Sequence, residues 1–316
     1  FFQVSWLPDD RREYYVRTLR QLAAEADYRP PKPQIVFEGN APAYLLNNPG
    51  LRALLAAESW PEEARSAKAY LGEAIEIKPH TAAVFRRQSR ANLLIVGQHE
   101  KVSVALVTSA LVSLCTQHAP GTATFFVVDL SRAGEPWAGL CQSISRLFPH
   151  GICFARRRGF QDTIEKIEAV INRRLGSETP SAPNIYLILV GLHRARELRE
   201  TDQYGAPGPV AHKLAEICRE GPDLGVHVIA WCDTYADVCR ILDRRVASEF
   251  DLRVALQMSE DDSNQLIESP RAAKIGRNRA LLYDVEDIGK LEKFRPYELL
   301  SAKEVREVAD RLRAKV

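Results

Sequence analysis

Gly97, Lys101 and Ser103 are the residues of this chain whose types and spacing come nearest to a phosphate-binding device. A loop that cradles phosphates follows the pattern G-x-x-x-x-G-K-[ST], between a buried strand and a helix. Its glycines let backbone amides approach the phosphates, its lysine reaches the outer phosphates, and its hydroxyl holds magnesium. Here Leu93-Leu94-Ile95-Val96 reads as a buried strand, and an apolar helix is expected from Val102. Laid from Gly97, however, the second glycine falls on Val102, the lysine on Ser103 and the hydroxyl residue on Val104. Val102 brings a β-branched side chain to a place that wants none. Glu100 brings negative charge toward the phosphates, and Lys101 stands two positions early. The plain reading is a tight turn between a core strand and a core helix. The alternative is vestigial nucleotide binding through Gly97, Lys101 and Ser103.

Other chemistry-bearing residues point the same way. In an ATP-hydrolysing site a second strand ends in an acidic pair that binds magnesium and activates water. The candidate strand Ile185–Val190 is followed by Gly191 and Leu192, which do neither, and then by His193 and Arg194. His193 beside Arg194 and Arg196 reads as a surface or helix-start residue. Asp129, at the end of Phe125-Phe126-Val127-Val128, is the best-placed carboxylate left, and aspartates at strand ends are commonly caps. His227, at the entrance of Val226–Ala230, reads as a hydrogen-bonded core histidine, since no second ligand has metal spacing around it. Arg156-Arg157-Arg158 is the one dense basic triplet. It reads as a solvated loop or as a phosphate-backbone contact for nucleic acid.

The elements that position these residues alternate. Strands are expected at Leu93–Val96, Thr124–Leu130, Ile152–Phe154, Ile185–Val190, Val226–Ala230, Leu252–Leu256 and Ala280–Tyr283. Helices are expected at Val102–Gln117, Pro136–Leu147, Phe160–Leu175, Val210–Glu220, Tyr235–Leu242 and Ser259–Ile267. Apolar runs such as Tyr186-Leu187-Ile188-Leu189-Val190 suit strands covered on both faces of a parallel sheet. The alternation implies a doubly wound α/β domain. Ahead of it, 5–28 reads as a helix, Gln34–Gly39 and Ala74–Ile77 as short strands, and Leu51–Ala57 as a small helix. Pro30, Pro31 and Pro33 end the first helix. Residues 201–209 read as a mobile loop. The expected domains are an N-terminal helical and short-strand extension over 1–90, the α/β domain over 91–300, and a C-terminal helix over 301–316.

The length of 316 residues admits one large α/β domain with an appendage, or two domains. A net charge of +2 leaves any polyanion surface to a local patch. Cys115, Cys141, Cys153, Cys218, Cys232 and Cys239 form no C-x-x-C pair, and several sit in apolar runs, so free thiols in a reducing, cytoplasmic setting are expected. No stretch approaches the roughly 18 uninterrupted apolar residues of a membrane span. A start at Phe1-Phe2-Gln3 suggests a piece of a longer polypeptide.

Taken in order, these features resemble the motor domain of the FtsK/SpoIIIE/HerA class of DNA-translocating ATPases, over roughly Leu71 to Tyr283. Gly225-Val226-His227-Val228-Ile229-Ala230 is similar to that family's G-[IV]-H strand. Leu252-Arg253-Val254-Ala255-Leu256-Gln257-Met258-Ser259 resembles its R-[IV]-A-[FL]-[RQ]-[VM]-S strand. Asp262-Ser263-Asn264-Gln265-Leu266-Ile267 resembles the helix after it, and Gly276 to Tyr283 the closing strand. The resemblance implies a RecA-like P-loop domain with a central, mostly parallel sheet flanked by helices, plus the small N-terminal extension. Active members carry an intact loop, the acidic pair and a polar sensor. This chain holds Val102-Ser103-Val104, Gly191-Leu192 and Trp231-Cys232-Asp233 there. Three departures together imply a non-hydrolysing pseudo-ATPase module of a larger translocase, with a scaffolding or regulatory role and no catalytic residue or metal site. No cofactor is expected, ATP with magnesium entering only through the vestigial candidates.

Two alternatives stand beside it. One is an active motor whose site a neighbouring subunit completes, with Arg244 and Arg245, or Arg253, offered in trans. The other is a peptide-binding domain, as in type VII secretion ATPases, using an empty nucleotide pocket lined by Gln98, His99 and Trp231. Partners implied are other domains or subunits of a translocase assembly, double-stranded DNA, or a peptide.

Overall fold

The computed structural model describes residues 6–29, 42–62, 66–176, 182–200, 207–286 and 291–316. The expected strand Gln34–Gly39 lies outside these residues, as does most of the 201–209 loop. The chain divides into two units, Phe1–Ala41 and Pro42–Val316. Among its described residues the first holds one helix, α1 (Asp9–Glu25), with Asp9 and Asp10 in its first turn, where negative charge suits the helix dipole. None of its residues is buried.

The second unit is built on one ten-stranded sheet. Its strands are β1 (Ser66–Ala74), β2 (Thr81–Arg86), β3 (Leu93–Val96), β4 (Ala123–Asp129), β5 (Cys153–Arg156), β6 (Asn184–Val190), β7 (Val226–Cys232), β8 (Leu252–Ala255), β9 (Ala280–Asp284) and β10 (Leu291–Pro296). They run in the order β2-β1-β10-β9-β8-β3-β7-β6-β4-β5. From β8 to β5 all neighbours are parallel. From β2 to β8 all are antiparallel. β1 and β2 therefore belong to the sheet, and the boundary expected near residue 90 falls at 42. They were hard to recognise because β1 alternates small and polar residues. The anticipated strand Ala74–Ile77 begins where β1 ends, and Ile77 is fully exposed in the hairpin.

Helices cover both faces. α2 (Pro49–Ala56), α3 (Glu100–Gln117), α4 (Leu140–Leu147) and α9 (Ala302–Arg313) pack on one side. α5 (Phe160–Leu175), α6 (Pro209–Glu220), α7 (Tyr235–Ala247) and α8 (Glu260–Ile267) pack on the other. α4 starts later than Pro136 because Gly139 turns left-handed ahead of it. The C-terminal helix is not an appendage: Val305, Val308 and Leu312 of α9 are buried in the common core. α3 is covered almost all round. Its polar residues survive burial by bonding back to the helix, Thr108 Oγ1 to the Val104 carbonyl at 2.8 Å and Thr116 Oγ1 to that of Ser113 at 2.7 Å. β3, with β7 and β8 on either side, feeds this helix, so its carboxyl end is where an α/β sheet of this order holds ligands.

Candidate functional site: a cradle closed by an ion pair

Only Gly97, Gln98 and His99 separate β3 from α3. A phosphate loop needs about eight residues there. The helix begins at Glu100, two residues earlier than expected, so Lys101, Val102 and Ser103 are helical rather than part of a loop. Gly97 is also engaged. Its N–H donates to the Cys232 carbonyl at 3.1 Å, and its own carbonyl accepts from the Trp231 indole at 3.1 Å. A Cβ on Gly97 would stand 2.4 Å from Cβ of Leu256. The glycine thus answers to close packing against the residue after β8.

The other two vestigial candidates point away from any shared site. Lys101 Nζ pairs with Glu298, at the start of the β10–α9 connection. Ser103 is fully buried inside α3, its hydroxyl 3.4 Å from the Gly97 carbonyl. Gly97, Lys101 and Ser103 are therefore not brought together around a common point.

What fills the space comes from the segment after β6. Gly191 is left-handed (φ 77°), a conformation that strains any residue with a side chain, the expected aspartate included. The chain then makes a 3-10 turn over Leu192–Arg194 that sends Arg194 back to α3. Arg194 Nη1 and Nη2 donate to the two carboxylate oxygens of Glu100 at 2.9 and 3.1 Å, a two-bond fork. The guanidinium lies 5.7 Å above the Trp231 ring. Burial opposes ionisation of Glu100, but the bonds and charge of Arg194 outweigh it and hold the carboxyl below its ordinary range.

His193 stands edge-on to Trp231, with centroids 5.3 Å apart. It is 6% exposed, not the surface residue that its arginine neighbours suggested. Its Nδ1 lies 3.7 Å from Oδ1 of Asp233, too far for a hydrogen bond, and neither ring nitrogen has a hydrogen-bonding protein partner. Burial pushes its imidazole down to about 4, and the positive charges of Arg194, Arg199 and Arg132 add to this while Glu100 opposes it. Its carbonyl accepts a bond from Arg199. Trp231 itself is 1% exposed, so among the described residues it does not line an open pocket with Gln98 and His99.

Solved structures share this architecture. The cytoplasmic domain of the Thermomonospora curvata type VII secretion ATPase EccC matches with a TM-score of 0.63 and 13% identity, over 86% of this chain and 34% of that one. EccC ATPases 2 and 3 from the same organism, in complex with a signal sequence peptide, match at 0.60 and 12%, over 89% and 50%. The pCW3 conjugation coupling protein TcpA, in a monomer form with ATPγS, matches at 0.61 and 11%, over 94% and 86%. The fold is that of a RecA-like P-loop ATPase domain. The chain spans a third to a half of the two EccC structures. No protein-family model and no curated protein matches the sequence.

Within the P-loop ATPase fold, the side chains here do not fit magnesium triphosphate. Glu100 carries negative charge where the phosphates would lie, and Lys101 is committed to Glu298. Asp129 is 3% exposed and occupied: it accepts from the Ser131 amide at 2.9 Å and faces Arg156 at 3.5 Å. It caps a turn through the Ser131 amide rather than the helix start anticipated from its place, since the next helix begins only at Leu140. Among the described residues no group of three or more His, Cys, Asp or Glu side chains is arranged to hold a metal.

The remaining candidates lie elsewhere. Arg156, Arg157 and Arg158 are exposed between β5 and α5. Arg156 faces Asp129, and Arg157 binds the Arg194 carbonyl at 3.1 Å and Glu197 at 3.6 Å, so two of the three are held. Arg253 is turned inward onto the carbonyls of Phe250 and Leu266, at 2.8 and 3.0 Å, and is not offered to a neighbour. Arg244 and Arg245 are exposed after Asp243, whose left-handed backbone (φ 49°) breaks α7. His227 is a core histidine, its Nδ1 2.8 Å from the Ala91 carbonyl. A groove of about 580 Å³ runs between α4 and the start of α9, with Trp137, Leu140, Leu300 and Val305 in its wall. Sequence reasoning missed the Glu100–Arg194 fork. Its partners are 94 positions apart, and no local spacing signals them.

Proposed function

We propose that this chain is a non-hydrolysing, ATPase-like module of a larger translocase-type protein, and that it acts there as a scaffold or regulator. The observation that carries the reading is the fork between Glu100 and Arg194, laid over Trp231 at the carboxyl end of β3. A carboxylate held there competes with phosphate for the same guanidinium and the same helix end. The short Gly97–His99 turn supports the reading, because three residues cannot wrap a triphosphate. DNA handled by the whole assembly, with Arg158 as a phosphate contact, is part of the proposal and rests on fold likeness alone. Isothermal titration of the chain with ATP and magnesium tests the core of it. The expected result is no heat of binding at micromolar to millimolar nucleotide and no phosphate release. Micromolar binding with turnover would remove the reading.

The groove beside α4 and α9 favours a second reading, in which the module recognises an apolar peptide. A cleft of about 580 Å³ with Trp137, Leu140 and Leu300 in its wall suits two or three apolar side chains. A Ser143→Arg variant, at an exposed position in the wall of the same groove, then loses peptide capture while its melting temperature stays near that of the parent. Capture unchanged by the substitution would exclude this groove.

A further inference from the structure

Arg194 grips the carboxylate of Glu100, and the first turn of α3, Trp231 and His193 lie beside the pair. Arg194 gives it two parallel hydrogen bonds at 2.9 and 3.1 Å. α3, an 18-residue helix, presents its first turn, and His99 caps that turn without a side-chain bond. The Glu100 amide donates to the Gln98 carbonyl, the Ser103 amide begins the helix ladder on His99, and the helix dipole places partial positive charge at this end. Trp231 supplies a flat floor under the guanidinium. His193 lies alongside: a Cβ built on Gly191 would stand 3.6 Å from Arg194 Nη1 and 3.7 Å from His193 Cε1. His193 is 94% buried by its 6% exposure, yet both ring nitrogens lack a hydrogen-bonding protein partner. A forked guanidinium, a helix N-terminus and an unused imidazole are the donor set of an oxyanion site.

We infer that Glu100 is the built-in occupant of a latent oxyanion site formed by Arg194, His193 and the first turn of α3, and that this site takes phosphate-type anions once the carboxylate is removed. The inference deepens the proposed function and rests on it: the cradle is shut by a tethered anion as well as by a missing lysine. The geometry differs from that of a phosphate loop, since the guanidinium comes from the segment after β6 and the loop backbone plays no part. The charges facing the site from each side are consistent with a single anion. Glu100 is the carboxylate in the fork, Asp233 Oδ1 lies 3.7 Å from His193 Nδ1, and Arg132 and Arg199, in the segments after β4 and β6, add positive charge at His193. Removing Glu100 leaves an unbalanced guanidinium about four-fifths buried, which a small dianion can neutralise.

The probe is inorganic pyrophosphate, titrated calorimetrically into the full chain, with circular dichroism and melting curves to verify folding. Glu100→Ala is expected to bind pyrophosphate at least about tenfold more tightly than the parent. Glu100→Gln, which keeps the size and removes the charge, gives a smaller gain in the same direction and serves if the alanine variant does not fold. Adding Arg194→Met to either variant returns binding to the parent level. Binding no tighter than the parent in both variants overturns the inference, as does affinity that survives Arg194→Met. The two readings fail separately. A parent chain that binds ATP sinks the proposed function. A parent inert to ATP, with variants that also ignore pyrophosphate, sinks only the latent site.

Discussion

The two ends of the same parallel strands treat buried polar groups in opposite ways. At the amino end, ahead of β3 and β7, the buried polar groups of Asn92, His118 and His227 are bonded, although Asp251 Oδ1 ahead of β8 and His150 Nδ1 ahead of β5 are not. Asn92 donates to the carbonyls of Cys218 and Glu249 at 2.9 and 2.8 Å and accepts from the Val228 amide at 2.8 Å. His118 reaches the Tyr186 hydroxyl at 3.0 Å, and His227 stacks on the same ring. At the carboxyl end His193, Glu197 and Asp233 each keep a buried polar atom with no hydrogen-bonding protein partner. Buried donors and acceptors are normally paired, because leaving one unpaired costs about 1–3 kcal/mol. The amino end ahead of β3 and β7 is therefore organised for stability. The carboxyl end carries groups whose placement stability does not explain, in the place where this fold does its chemistry.

Acidification should have the largest effect, and His193 at the carboxyl end, also held down at about 4, adds to it. Burial holds His118 and His227 down at about 4, against an ordinary 6.5. Above pH 7 both imidazoles are neutral folded and unfolded, and their contribution is complete. As pH falls below 6.5 the unfolded chain takes up protons that the folded chain refuses until about pH 4. Stability is lost across that window, on the order of 3 kcal/mol for each histidine. Urea unfolding followed from pH 7.5 to 4.5 reads this directly. A flat profile would mean that the amino-end histidines are not held neutral.

Asn92→Ala comes next. It strands two carbonyls and one amide at the amino end, and about 3 kcal/mol should be lost in urea unfolding. A loss under about 1 kcal/mol would break the comparison from that side. His193→Leu is the smallest and most diagnostic change. Removing nitrogens that bond to no protein group should leave stability within about 1 kcal/mol of the parent, or raise it. A loss above about 2 kcal/mol, beyond what repacking against Trp231 explains, would show that His193 is held by structure after all.

Much of the architecture was legible in the sequence. β3 to β9 and α5 to α8 announced themselves, because parallel strands covered on both faces are continuous apolar runs and the helices between them are amphipathic. β10 did not: Leu291-Glu292-Lys293-Phe294-Arg295-Pro296 reads as a charged loop until Arg295 is seen paired to Glu73 across β1. The absence of a lysine and of an acidic pair was visible residue by residue. The start of α3 was not, since Glu100-Lys101 looks like loop, and the helix is drawn back over them by the close packing of Gly97 on Leu256. The fork was illegible for a different reason. Glu100 and Arg194 are adjacent only because β3 and β6 flank β7, a fact of topology that no local pattern states.

The three-residue turn after β3 bears on how this domain can change over time. In a conventional relative with a full-length loop, one codon separates a working lysine from a dead one, and mutation can cross in both directions. Here Ser103 is already locked inside a buried helix. A lysine at that position would enter the core and meet no phosphate. Regaining a wrap around triphosphate would take inserted residues and a new home for the Trp231 indole at the same time. If the chain is the non-hydrolysing module proposed above, such a barrier works as a ratchet: the sheet stays free to drift toward new partners, while no single substitution brings hydrolysis.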